Sequence, residues 1–261
     1  IGFTPTMGAL HNGHITLAKQ MLKENNIGIV SVFVNPTQFN EKSDLKNYPR
    51  PYDDDVALLK KEKCDVLFHP SEKEIYPMGY DNSPNIELGK MGEVMEGQFR
   101  PGHFDGVVQV VHRLLSIVKP DFLFMGQKDF QQSTIIGHLI DYLNMDTDLI
   151  ISPTKREKNG LAMSSRNVRL SKKERETAGV IYKTLNYIKQ RVKLKSIEDC
   201  KQYATKRLER EGLKPEYFEI VDGHTLQPVE ILYDSDYIVA CTAVWVGDVR
   251  LIDNKILKKT I

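Results

Sequence analysis

The first half of the chain alternates short apolar runs with segments whose apolar residues recur at helical spacing. Residues 27–34 predict a fully buried strand, and shorter apolar runs follow at 65–68 and 122–124. One amphipathic helix, ended by Pro120, is predicted from the spacing of Val107, Val111, Leu114, Leu115 and Val118. This alternation predicts a parallel sheet with right-handed crossovers, which binds ligands at the carboxyl ends of its strands.

The pattern changes near residue 153. Two helix-like stretches, at about 172–192 and 197–211, are followed by strand candidates at 216–221, 237–246 and 250–252. Helices followed by adjacent strands are typical of an α+β domain. We therefore predict an α/β protein with a Rossmann-like, nucleotide-binding parallel-sheet domain at 1–153 and a smaller C-terminal α+β lid domain at 154–261.

Composition narrows the class of protein. The chain has 261 residues, of which 41% are hydrophobic and 27% charged, as in a globular protein. Its 36 Lys and Arg nearly balance its 35 Asp and Glu, so we expect neither nucleic acid nor an acidic membrane as a partner. No apolar run is long enough to span a bilayer, and no signal peptide is visible. The three cysteines form no C-x-x-C pair, which favours a cytoplasmic location.

A polar, glycine-bearing turn near the start of the chain lies between an apolar strand and a helix-like segment. This arrangement aims free backbone N–H groups and the positive end of a helix dipole at an anion such as phosphate. His11 and His14 flank the helix start and can donate hydrogen bonds to phosphate oxygens, and Gly13 lets a nucleotide lie against the backbone. Two other interpretations stay open, in which the histidines form half of a metal site or are purely structural.

Polar side chains also follow two later strands. Asn35 and Gln38 come after the strand at 27–34, and their carboxamides suit the orientation of a hydroxylated acid. Gly126 and Lys128 come after the strand at 122–124. The glycine lets a ligand approach, and the lysine is a point charge suited to phosphate, although an ordinary turn with a solvated lysine is the alternative.

Two further clusters carry charge. Ser-Ser-Arg at 164–166 combines two hydroxyls with a guanidinium, a compact clamp for the β and γ phosphates of a nucleoside triphosphate. Three consecutive aspartates at 53–55 either begin a helix or hold the Mg²⁺ bound to such a triphosphate. Each cluster alone is a weak signal.

Six motifs, in this order and over nearly the whole chain, together resemble the pantoate–β-alanine ligase family. They are PTMGALHxGH at 5–14, FVNPxQF at 33–39, YPR at 48–50, RPGHF at 100–104, GxKDxQQ at 126–132 and SSRN at 164–167. His-x-Gly-His alone would indicate only the wider nucleotidylyltransferase superfamily. The resemblance implies the ATP-dependent condensation of (R)-pantoate with β-alanine through a pantoyl adenylate, by a homodimer that makes pantothenate and uses Mg²⁺.

The resemblance also implies roles for individual residues. ATP would be bound by Met7, Gly8, Ala9, Leu10, His11, Asn12, Gly13, His14, Gly126, Gln127, Lys128, Asp129, Met163, Ser164, Ser165 and Arg166. The catalytic residues among them would be His14, His11, Lys128 and Arg166. Pantoate would be bound by Gln38, Gln132 and Asn35. The metal carboxylates would be Asp54 and Asp55.

One departure from the family pattern concerns Asn159, which stands where the family usually carries Asp, so the role of that carboxylate is in doubt. Two alternative functions remain. An enzyme that adenylates a phosphate would favour Arg or Lys over Gln38 and Gln132. A nucleotide-binding regulatory protein without catalysis would be expected to lack His14, Lys128 or Arg166, and this chain has all three.

Overall fold

The computed structural model describes residues 1–40, 42–78, 84 and 86–260. The chain divides into two compact units. The first, here called the parallel-sheet unit, comprises Ile1–Leu88, Phe99–Gln127 and Gln132–Pro153. The second, here called the antiparallel-sheet unit, comprises Gly89–Gln98, Lys128–Gln131 and Thr154–Ile261. Two short segments from the first half of the chain therefore belong to the second unit.

The parallel-sheet unit is built on five parallel strands. They are β1 (Gly2–Thr6), β2 (Gly28–Val32), β3 (Val66–Phe68), β4 (Phe122–Gly126) and β5 (Asp148–Ser152). The spatial order is β3-β2-β1-β4-β5, so the chain runs outward on one side of β1 and then returns to build the other side. Ligands of such sheets bind beyond the carboxyl ends of the strands, where this reversal opens a crevice. The predicted α/β fold class is confirmed.

Helices alternate with these strands along the chain. They are α1 (Asn12–Glu24), α2 (Lys42–Asn47), α3 (Tyr52–Lys61), α4 (Glu72–Ile75), α5 (Glu96–Phe99), α6 (His103–Val118) and α7 (Phe130–Tyr142). The apolar face of α1, which includes Ala18 and Met21, packs on β1, β2 and β4 in a cluster with Val30 and Phe124. The predicted amphipathic helix before Pro120 is confirmed as α6, whose C-cap Lys119 adopts a left-handed conformation.

The antiparallel-sheet unit contains α8 (Lys172–Arg191), α9 (Ile197–Arg210), β6 (Lys214–Asp222), β7 (Tyr237–Val246) and β8 (Val249–Lys259). The strands form an antiparallel sheet in the order β6-β7-β8, which confirms the smaller α+β fold predicted for this part of the chain. Serine side chains cap both helices, Ser171 at α8 and Ser196 at α9. Strand β8 is much longer than the predicted 250–252.

Among the residues that the structure describes, none of the helices combines the length and the hydrophobicity needed to cross a membrane.

Candidate active site

The turn between β1 and α1 is held by a buried carboxylate. Gly8 and Ala9 both have positive φ, +76° and +50°, in the left-handed region that favours glycine. The carboxylate of Asp55 in α3 accepts hydrogen bonds from the backbone N–H of Ala9 at 2.9 Å and of Leu10 at 2.7 Å. Successive N–H groups of this kind form an anion-binding concavity. The anion in it here is the side chain of Asp55, which is 1% exposed.

This geometry bears on the predicted magnesium site. Burial raises the pKa of Asp55, and the hydrogen bonds from Leu10 and Ala9 oppose that rise. Both carboxylate oxygens accept backbone N–H groups and the side chain is 1% exposed, so the carboxylate of Asp55 serves to hold the turn. Asp54 is exposed in the first turn of α3. No cluster of three or more His, Cys, Asp or Glu that could hold a metal ion occurs in the described part of the chain.

A pair of histidines closes the first turn of α1. His11 is the N-cap, and its Nδ1 accepts a hydrogen bond from the backbone N–H of Gly13 at 3.1 Å. The Nδ1 of His14 accepts in turn from the backbone N–H of His11 at 3.4 Å, and the two rings stack with centroids 4.0 Å apart. A ring nitrogen that accepts a hydrogen bond carries no proton, so each neutral ring carries its proton on Nε2. Both histidines are thereby set up as Nε2–H donors.

These contacts correct one expectation from the sequence, that the turn would aim free backbone N–H groups at an anion. The N–H of Gly8 donates to the hydroxyl of Thr6 at 3.1 Å. The N–H groups of Ala9 and Leu10 donate to Asp55, and those of His11 and Gly13 donate to the rings of His14 and His11. The turn can therefore present imidazole N–H groups and a helix dipole to an anion, while its own backbone is largely engaged.

Two amide side chains lie at the carboxyl end of β2, on the short 3₁₀ helix Pro36–Gln38 and its N-cap. Gln38 is 8% exposed, and its Nε2 lies 3.2 Å from the sulfur of Met7 in the β1–α1 turn. Two of the predicted site residues are thus brought together. Asn35 is 1% exposed and donates to the Gln38 side chain at 3.2 Å.

Asn35, predicted to bind substrate, has its side-chain groups engaged within the protein. Its Nδ2 also donates to the backbone oxygen of Gly106 at 3.1 Å, and its Oδ1 accepts the hydroxyl of Tyr76 at 2.8 Å. The Nδ1 of His103 donates to the backbone oxygen of Gln38 at 2.8 Å. Asn35, Tyr76 and His103 therefore hold Gln38 in place. No motif in the sequence pointed to Tyr76, whereas His103 lies in the RPGHF motif.

The residues predicted around the end of β4 lie on three consecutive pieces of structure. Gly126 ends β4, and none of the described residues beyond its two chain neighbours has an atom within 4 Å of the position that a Cβ would take there. Gln127, Lys128 and Asp129 form a short 3₁₀ helix. In the antiparallel-sheet unit, the Nζ of Lys128 lies 3.4 Å from a carboxylate oxygen of Asp129, and the lysine side chain is 19% exposed. Gln132 is half-buried in α7.

The segment before the Ser-Ser-Arg cluster is a hairpin. Residues Arg156 and Ala162 pair across it, and the N–H of Met163 donates to the backbone oxygen of Lys155 at 3.0 Å. Ser164 then caps the 3₁₀ helix Ser165–Arg169, its hydroxyl accepting from the N–H of Arg166 at 3.3 Å.

Asn159 lies in the turn of this hairpin. Its Oδ1 accepts from the N–H of Leu161 at 3.1 Å, and its Nδ2 donates to the backbone oxygen of Arg175 in α8 at 2.7 Å. A deprotonated aspartate could make the first contact and not the second, because it has no hydrogen to donate. Asn159 therefore ties the hairpin to α8, which gives this departure from the family pattern a structural role.

The parallel sheet, its reversal at β1 and the histidine pair at the first helix are typical of the class of α/β nucleotide-binding proteins. Comparison with known proteins narrows that class. A model of the pantoate-beta-alanine ligase family matches residues 1–256, and the chain belongs to that family. The resemblance in the six motifs is thereby confirmed, and the protein is a ligase by family.

Two relatives and two solved structures illustrate the match. The chain is 50% identical over 256 residues to pantothenate synthetase of Azobacteroides pseudotrichonymphae, covering 97% of this chain and 91% of that relative. It is 47% identical over 261 residues to the Thermotoga petrophila enzyme, covering 98% and 91%. The crystal structure of pantothenate synthetase from Thermus thermophilus has a TM-score of 0.93 at 36% identity, covering 98% and 93%. A Francisella tularensis pantoate-beta-alanine ligase, complexed with beta-gamma ATP and beta-alanine, has a TM-score of 0.81 at 39% identity, covering 98% and 89%.

Proposed function

We propose that this protein condenses pantoate with β-alanine to give pantothenate, AMP and pyrophosphate, through a pantoyl adenylate. The observation that carries the proposal is the family match over nearly the whole chain. The Francisella tularensis relative is described in complex with beta-gamma ATP and beta-alanine, which supports ATP and β-alanine as substrates here.

The reaction has two balanced steps. In the first, a carboxylate oxygen of pantoate attacks the α-phosphorus of ATP, the bond to the β-phosphate breaks, and pyrophosphate leaves with the electron pair. In the second, the amine of β-alanine attacks the acyl carbon, the bond from that carbon to the AMP oxygen breaks, and the amine loses its proton. Neither step needs a covalent bond to the protein. Catalysis can therefore come from alignment and from charge complementary to the transition state.

The side chains of the first turn of α1 would act on the nucleotide phosphates. His11 and His14 have Nδ1 atoms that accept backbone N–H groups, so each ring can donate from Nε2 to a phosphate oxygen. We assign the main catalytic role to His14 and a supporting role to His11. Lys128 and Arg166 would contribute positive charge as negative charge grows on the departing pyrophosphate.

Pantoate recognition would depend on amide groups. Gln38 can donate to and accept from a hydroxylated acid, and Gln132 would provide the second carboxamide. Asn35 holds Gln38, and we now assign it a supporting role rather than contact with substrate. The remaining nucleotide contacts would come from the β1–α1 turn and from the hydroxyls of Ser164 and Ser165.

We also keep as proposals that the protein is a cytoplasmic homodimer and that Mg²⁺ accompanies ATP. Of the two predicted metal carboxylates, Asp54 is exposed and stays a candidate, whereas Asp55 is occupied by the turn.

Pyrophosphate release tests the proposal. With enzyme, ATP and pantoate alone, we expect a burst of about one pyrophosphate per site, because the adenylate stays bound and is shielded from water. Continuous release of pyrophosphate and AMP should begin only when β-alanine is added. Release that needs no pantoate, or formation of ADP in place of AMP, would contradict the proposal. Substituting pantetheine phosphate for pantoate tests the rival phosphate adenylation, and we expect no release.

A further inference from the structure

The three-stranded sheet of the antiparallel-sheet unit has two chemically different faces, because successive residues of a strand point to opposite sides. One face packs on α8 and α9 through Phe218, Ile220, Val244, Val246, Val249 and Leu251. The other face, here called the polar face, carries Tyr217, Trp245, Arg250 and Asn254. Glu216 joins them because an irregularity in the pairing between Pro215 and Tyr217 breaks the alternation at this point of β6. Polar groups buried on a sheet face need partners. The segments 89–98 and 128–131 of the same unit supply them.

Arg250 is the centre of the polar face. Its guanidinium makes two hydrogen bonds of 2.8 Å to Glu96 and two more, of 2.9 and 2.6 Å, to Glu216. Tyr217 donates its hydroxyl to Glu96 at 2.8 Å, and the indole N–H of Trp245 donates to Glu216 at 3.0 Å. Burial raises the pKa of Tyr217, so its hydroxyl keeps the proton that it donates. Glu96 is thereby fixed, and with it the segment 89–98.

The segment 89–98 in turn fixes the first turn of α7. The backbone N–H of Glu96 donates to the Oε1 of Gln131 at 2.9 Å. The Nε2 of Gln131 donates to the backbone oxygens of Met91 and Val94, both at 2.9 Å. Gln131 is 5% exposed and has both ends of its amide engaged. The C-terminal end of the segment 128–131 is therefore anchored.

Asn254 anchors the other end. Its Nδ2 donates to the backbone oxygen of Lys128 at 2.9 Å, and the asparagine is only 2% exposed. This amide takes no part in the ladder between β7 and β8, which is made by backbone groups. Branched and aromatic residues are favoured in strands, so a buried asparagine there needs a reason. The reason at Asn254 is the hydrogen bond to the backbone of Lys128.

The preceding residue of β8, Asp253, performs the corresponding task on the opposite face. The carboxylate of Asp253 binds the guanidinium of Arg156 through two hydrogen bonds of 2.6 and 2.9 Å. Arg156 also lies 4.0 Å above the ring of Tyr182 and belongs to the hairpin that leads to residues 164–166. Asn254 therefore holds the segment that carries Lys128, and Asp253 holds the hairpin that leads to Arg166. Lys128 and Arg166 are the two residues whose positive charge the proposed function places near the triphosphate.

We infer that Asn254 is a positioning residue for the ligase reaction: by fixing the carbonyl of Lys128, it sets the direction in which the lysine side chain leaves the backbone. This inference rests on the proposed function, which assigns Lys128 to the transition state. A displacement of about 1 Å in such a group can reduce the rate by about 100-fold.

Asn254→Asp is the direct test. The variant side chain has nearly the same size, lacks the N–H donor and places a carboxylate oxygen against the Lys128 carbonyl. We expect single-turnover pyrophosphate release to slow by about 10- to 100-fold. The Kd for ATP should change by less than about 3-fold, because Lys128 acts mainly in the transition state. Asn254→Ala, which loses the bond without adding charge, should show a smaller change in the same direction and serves if the aspartate variant does not fold.

Ser196→Ala is the matched control. It removes the N-cap of α9 in the same unit, where the Ser196 hydroxyl accepts from the N–H of Asp199 at 3.0 Å. It should lower thermal stability, as loss of a cap does, and leave the rate of pyrophosphate release unchanged. An equal loss of rate in this control would show that the rate follows stability, and the positioning role would be overturned.

A double-mutant cycle with Lys128→Ala separates positioning from general damage. If Asn254 acts through Lys128, Asn254→Asp should have less than about a 2-fold effect in the Lys128→Ala background. An effect of equal size in both backgrounds overturns the inference. If Lys128→Ala is slow while Asn254→Asp keeps the wild-type rate, the inference about Asn254 is overturned and the proposed function stays intact. A Lys128→Ala enzyme with the wild-type rate overturns the proposed role of Lys128 and the inference with it.

Discussion

Replacing Asp55 by Asn tests the interpretation of the β1–α1 turn. The carboxylate now accepts two backbone N–H groups, from Ala9 and Leu10, and is nearly inaccessible to water. An asparagine can keep one of these bonds through its oxygen, but it must turn its NH₂ group toward the other N–H. One bond to a charged acceptor is lost and one buried donor is left without a partner.

The size of the effect follows from these contacts. A hydrogen bond to a charged group contributes about 1.5–3 kcal/mol, and a buried donor left unpaired costs about 1–3 kcal/mol. Relaxation of the turn offsets part of this loss, and so does relief of the desolvation that raises the pKa of the buried carboxylate, so we expect the free energy of unfolding to fall by about 2–4 kcal/mol. For a unit of this size the melting temperature should drop by about 5–15 °C. Gly8 and Ala9 lose the group that holds their positive φ values, so pyrophosphate release should slow as well.

The neighbouring Asp54 supplies the control, since it is exposed and lies on the same helix. Asp54→Asn should change the free energy of unfolding by no more than about 0.5 kcal/mol, as exposed substitutions do. Thermal melting followed by circular dichroism measures both variants. Equal stability of Asp55→Asn and the wild type would refute the assignment of Asp55 as the anchor of the turn. If Asp55→Asn instead shifted the Mg²⁺ concentration needed for half-maximal rate without a loss of stability, the result would support metal binding by Asp55.

Three further results are expected. His14→Ala should slow single-turnover pyrophosphate release by about 10²- to 10⁴-fold, and a rate near that of the wild type would remove its catalytic role. Asn159→Asp should cost about 1 kcal/mol in a urea titration, because it loses the donor to the Arg175 carbonyl, and an unchanged midpoint would contradict that reading. Burial tends to raise the pKa of Asp222, but hydrogen bonds from Ser235, Thr225 and His224 outweigh it and hold the pKa below its usual value of 3.8. The Asp222 carboxylate therefore stabilises the fold fully above pH 4 and loses this effect as the pH falls further. The difference in free energy of unfolding between the wild type and Asp222→Asn should accordingly shrink on acidification. A gap that stays constant down to pH 2 would contradict it.

The strands and the long helices could be predicted because burial leaves a local signal. The apolar run at 27–34 contains β2, and the spacing of apolar residues before Pro120 gives α6. Strand β8 was predicted to end too early for an equally physical reason. Asp253 and Asn254 are buried on opposite faces by partners far away in the sequence, and their polarity interrupts the apolar pattern.

The supports of the candidate site could not be predicted in the same way. Asp55 lies 46 residues from Ala9, and three consecutive aspartates give no local sign of which one is buried. The engagement of most N–H groups at the β1–α1 turn could not be predicted for a related reason. Whether a backbone N–H is free depends on the side chains around it, and here the two histidines that were expected to act on phosphate also cap the helix.

The formation of a pantoyl adenylate is the central chemical claim, and oxygen transfer tests it most directly. Pantoate labelled with ¹⁸O in its carboxylate is incubated with ATP, β-alanine and enzyme, and the AMP is analysed by mass spectrometry. If the carboxylate attacks the α-phosphorus, one labelled oxygen stays with the phosphate when the amine displaces it, so each AMP should carry one ¹⁸O. Unlabelled AMP, or label found in inorganic phosphate together with ADP, would contradict the account.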